Sequence, residues 1–75
     1  MNKEQFKEAM LELQKLKSLG ISDSHYLKVV TESTNKLASE KKTPYSSLFI
    51  HYCYSEMIEL HKRGAECEIE LKVSI

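Results

Sequence analysis

The sequence predicts a small α+β domain that is mainly α: three helices, the first two forming an antiparallel hairpin, and one C-terminal β-strand. Three observations carry this. Apolar residues recur at spacings of three and four through most of the chain. Gly20, Thr43-Pro44 and Gly64 fall where those periodic stretches end or begin. Residues 66–75 then switch to strict period two. With 75 residues the chain has room for one domain, residues 1–75.

Helix 1 is predicted over residues 3–19, with Asn2 as its cap and Gln5 three residues on, able to reach back to it. Phe6, Ala9, Met10, Leu13 and Leu16 share one face. The outer pairs Lys3–Lys7 and Glu4–Glu8 carry like charges, so packing must hold this helix. Gly20 can end it in the left-handed conformation that follows a helix.

Helix 2 is predicted over 23–40, capped by Ser22, with an apolar face of Tyr26, Val29, Val30, Leu37 and Ala38. Its middle, Thr31-Glu32-Ser33-Thr34-Asn35, is poor in helix formers and should be its weakest part. Helix 3 is predicted over 44–63, with Thr43 as cap and Pro44 in the first position, where its missing N–H has no partner to lose. Phe49, Tyr52, Cys53, Met57 and Leu60 make one face, while Leu48, Ile50, Tyr54 and Ile58 spread apolar surface over the flanks. A helix apolar on more than one side is central or lies in an interface.

A strand is predicted over 66–74, with Cys67, Ile69, Leu71 and Val73 on one side and Glu66, Glu68, Glu70, Lys72 and Ser74 on the other. A lone strand leaves its N–H and C=O groups without a ladder. It could pair with its copy in a homodimer, add to the sheet edge of a larger protein, or pair with Leu48–Tyr54 if that stretch were itself a strand. The plainer alternative is a segment that only covers the helices.

Composition narrows the function. The 11 basic and 11 acidic residues give a net charge of zero, and 41% of residues are hydrophobic, which excludes a disordered charged tail. No apolar run is long enough to span a membrane, and the N-terminus has no stretch of signal-peptide character. A cytoplasmic protein with Cys53 and Cys67 reduced is therefore expected.

His51, Cys53, His61 and Cys67 suggest a metal site only superficially. On a helix, positions 51 and 53 point about 200° apart, and Cys53 and His61 sit roughly 12 Å apart along the axis, too far to share an ion. Cys53 on an apolar face is a poor nucleophile, because burial suppresses the thiolate. No phosphate loop, serine-nucleophile motif or carboxylate pair appears, and the five Glu of residues 45–75 read as solvated. Neither a metal, a cofactor nor an enzymatic activity is expected.

Tyr45, Phe49, Tyr52 and Tyr54 cluster within ten residues, as core or as an interface patch. The expected function is that of a small regulatory protein acting by protein–protein interaction, as a homodimer or on a larger partner. Tyr45, Phe49, Tyr52, Cys67, Ile69, Leu71 and Val73 would carry the contact.

The stretch Leu19-Gly20-Ile21-Ser22, followed by Val29, resembles the turn and second helix of a helix-turn-helix motif over about 20 residues. That resemblance implies a DNA-binding regulator with helix 2 in the major groove and Ser24, His25, Lys28 and Lys36 toward the DNA. The sequence departs from the motif at Leu16, where a small Ala is usual, and at Tyr26, where an aliphatic is usual. Zero net charge also argues against tight DNA binding.

Overall fold

The computed structural model of the protein describes residues 1–72. They form three helices, α1 (Lys3–Ser18), α2 (Asp23–Ala38) and α3 (Pro44–Lys62). Each begins at the cap the sequence offers. Asn2 Oδ1 accepts from the Gln5 N–H while Gln5 Oε1 accepts from the Asn2 N–H, both at 2.9 Å. Ser22 Oγ accepts from the His25 N–H. At α3 the box is closed by a serine: Ser46 N–H donates to Thr43 Oγ1 (3.1 Å), and Thr43 N–H donates to Ser46 Oγ (2.8 Å). Thr43 Oγ1 also donates to the Met1 carbonyl at 2.7 Å, which ties the N-terminus to the start of α3.

The glycine stops behave as their chemistry requires. Gly64 has φ +87°, its N–H bonds the His61 carbonyl at 3.0 Å, and the Ala65 N–H bonds the Leu60 carbonyl at 2.9 Å. Those two bonds make a Schellman turn at the end of α3.

α2 and α3 run antiparallel and pack most closely. Asp23 at the start of α2 meets Arg63 just beyond α3 at 3.3 Å, and Tyr26 reaches Glu56. α1 runs alongside α3 in the same direction, with Phe6 against Tyr45 near their starts (ring centroids 5.6 Å apart) and Lys17 against Glu56 further on. The core comprises Leu13 of α1, Tyr26, Leu27, Val30 and Leu37 of α2, Phe49, Cys53, Met57 and Leu60 of α3, and Ala65.

α2 is more deeply embedded than its apolar face predicts. Leu27, Thr31 and Thr34 are buried as well, whereas Ala38 is exposed, and the helix ends there. Thr34 tolerates complete burial because its hydroxyl donates to the Val30 carbonyl at 2.9 Å. The stretch expected to be weakest thus forms part of the core. The Leu48–Tyr54 segment is helical throughout.

The predicted C-terminal strand is not present over residues 66–72, and no strand occurs among the described residues. Val73 and Ser74, the rest of the predicted strand, lie outside them. The alternation itself is realised: Cys67, Ile69 and Leu71 are half-buried, while Glu66, Glu68, Glu70 and Lys72 are exposed. What differs is the partner. The Asn35 side-chain amide donates to the Glu70 carbonyl (2.9 Å) and accepts from the Lys72 N–H (2.7 Å). One side-chain amide thereby makes the two-point contact that a single residue of a neighbouring parallel strand makes through its own N–H and C=O. A side chain of α2, rather than a ladder, meets this part of the tail's main-chain bonding demand.

Candidate functional site

The seven expected interface residues fall into two groups that the fold keeps apart. Tyr45, Phe49 and Tyr52 face α1. Phe49 is buried, edge-on to Phe6 at 6.4 Å and stacked with Tyr52 at 6.5 Å. This group is core and core margin. Cys67, Ile69 and Leu71 lie on the other flank of α3. At about 100° per residue, Tyr54 and Ile58 point roughly 140° and 180° away from Phe49, and the tail lies on their side. Val73 is outside the described residues.

There the tail, α2 and α3 enclose an open cleft of about 310 Å³, lined by Thr31, Tyr54, Met57, Ile58, His61, Cys67, Ile69 and Leu71. The lining is mainly apolar. Ile58 is 55% exposed at its edge, and Leu48, 56% exposed, lies two to three turns back along α3. Cys67 Sγ donates to Thr31 Oγ1 at 3.9 Å. The tail thus rests along α2 and α3 by alternate apolar side chains, with Asn35 holding its backbone beyond them.

A second cluster escaped sequence reasoning. Glu56 Oε1 accepts from the hydroxyls of Tyr26 (3.0 Å) and Tyr52 (2.8 Å) and pairs with the Lys17 ammonium. Lys17 also stands 5.5 Å over the Tyr26 ring. Only 15% of the Glu56 side chain is exposed, so unlike the solvated glutamates expected of residues 45–75 it is largely buried. Burial pushes its carboxyl up, but Lys17 and the two hydroxyls outweigh that and hold it below the usual range. Burial, Tyr52 and Glu56 together raise the Tyr26 phenol, which stays protonated. A carboxylate stabilised by three donors is a weak base, and this cluster pins α1, α2 and α3 together. The only sequence signal for it is the Tyr52–Glu56 spacing of four.

The residues implied by the helix-turn-helix resemblance are exposed. Ser24, His25 and Lys28 border a shallow depression whose other side is Glu66, Cys67, Glu68 and Ile69. Two carboxylates therefore stand beside the face that would meet phosphates. Lys36 sits elsewhere, near Glu12 and Glu40. Among the described residues no three His, Cys, Asp or Glu side chains gather as metal ligands would. Cys53 is fully buried, and burial raises its thiol to about 11. No described helix is long and apolar enough to cross a membrane. Comparison with protein-family models, with curated proteins and with solved structures finds no match.

Proposed function

We propose that this protein is a small non-enzymatic regulator that acts through protein–protein contact and associates as a homodimer through the cleft between α3 and the tail. The observation that carries this reading is the open apolar cleft of Tyr54, Met57, Ile58, Ile69 and Leu71, with a large aliphatic side chain exposed at its edge. One further feature supports self-association. The net charge is zero, so two copies approach without long-range repulsion. No comparable observation favours the DNA reading.

The test is Ile58→Asp, read by light scattering with circular dichroism as a check on folding. The unmodified chain is expected to scatter as a dimer and the variant as a monomer of equal helicity. Equal scattering masses for the two chains would remove the cleft from the interface.

A further inference from the structure

The channel along α2 and α3 already holds a peptide, the chain's own tail, which bends at residues 68–69. Every part of the recognition is visible. Alternate apolar side chains, Cys67, Ile69 and Leu71, face the helices. Asn35 engages the backbone at Glu70 and Lys72 without reading any side chain. The intervening glutamates point outward. We infer that this channel is a peptide-binding groove whose partner in the assembled protein is the tail of a second copy, so that two chains exchange residues 67–72 reciprocally.

Three arguments select that occupant. An exchanged tail makes in the dimer the same contacts it makes within one chain, so the exchange leaves them conserved and only association itself opposes it. Any incoming peptide must displace a tail tethered at millimolar effective concentration, and only reciprocal exchange refills both grooves. The second argument is area. A stable interface buries about 800 Å² on each partner, more than a shallow cleft of eight lining residues supplies alone. Exchange turns the whole tail–groove contact into intermolecular contact. The third is the hinge. Ala65 is buried and fixed by its bond to Leu60, whereas Glu66 beside it is exposed, so the tail can swing out at Glu66 while Ala65 stays packed.

This inference rests on the homodimer reading but is tested separately from it, by complementation between two full-length variants. Asn35→Ala weakens the groove and keeps the tail. Ile69→Asp/Leu71→Asp spoils the tail and keeps the groove. Sedimentation is measured for each alone, for the mixture and for the unmodified chain, with circular dichroism as a folding check. Should the double variant lose helicity, Leu71→Ser replaces it. The mixture is expected to form dimers at concentrations at least tenfold below those at which either variant dimerises alone, because the intact tail of one seats in the intact groove of the other. A mixture that sediments as the plain sum of its components overturns tail exchange. If the unmodified chain is dimeric in that case, the homodimer reading stands and exchange alone falls. If the unmodified chain is monomeric, no exchange takes place in it, and tail exchange falls together with the homodimer reading.

Discussion

At the scale of single residues, Glu56 does the most. Among the described residues it is the one carboxylate bonded to two hydroxyls and an ammonium from three helices. Glu56→Ala leaves two partly buried hydroxyls without their acceptor. Hydrogen bonds to charged groups contribute about 1.5–3 kcal/mol, and Lys17, half exposed, adds at most about 1. The expected loss is about 2–3 kcal/mol, read as a lower urea midpoint with an unchanged slope. The pH dependence follows from the direction of its shift. The folded carboxyl titrates below its unfolded value of about 4.3, so its contribution is complete above that pH and is lost as acid protonates the folded form. Glu56→Gln should flatten the acid limb of the stability curve below about pH 4.3 and leave its shape near neutrality unchanged. An acid limb identical in the two proteins would contradict this assignment. Cys53 gives a simpler expectation. Buried, with its thiol raised to about 11, it should resist alkylation at pH 8 in the folded protein and react at once in denaturant, as mass spectrometry of the modified peptides would show.

At the scale of elements, what was legible in the sequence was what local chemistry decides. Asn2, Ser22 and Thr43 cap because their side chains reach N–H groups three residues away. Gly20 and Gly64 stop helices because only glycine takes their positive φ without strain. The inner face of α1, from Phe6 to Leu16, followed from spacing alone. The tail was half legible. Period two reports which side chains turn inward but not what they turn toward, and here that is a helix pair and an amide 35 residues away in sequence. Glu56 was illegible for the same reason, since Lys17 and Tyr26 lie far from it in the chain. The burial of Thr31 and Thr34 was hidden by their polarity, which Thr34 resolves by bonding its own helix. Two expectations belong to this scale. Asn35→Ala should lower the exchange protection of the Lys72 amide about fivefold, the equivalent of roughly 1 kcal/mol for exposed bonds, while amides in the middle of α3 keep theirs. Unchanged protection at Lys72 would show that Asn35 does not hold the tail. Gly64→Ala meets no atom within 4 Å, so its effect is conformational, about 1–2 kcal/mol, and should appear in the urea midpoint.

At the scale of the whole molecule, three short helices around a thin core leave one apolar flank of α3 covered, among the described residues, by the tail alone. The opposite flank is closed by α1, the Phe6–Phe49–Tyr52 rings and the Glu56 cluster. The proposed homodimer uses the tail side, and with zero net charge two copies would meet without long-range repulsion. The most direct measurement is sedimentation equilibrium of the unmodified chain across a hundredfold concentration range. A homodimer gives a mass approaching twice 8.7 kDa as concentration rises through the micromolar range, and a constant 8.7 kDa throughout would contradict self-association.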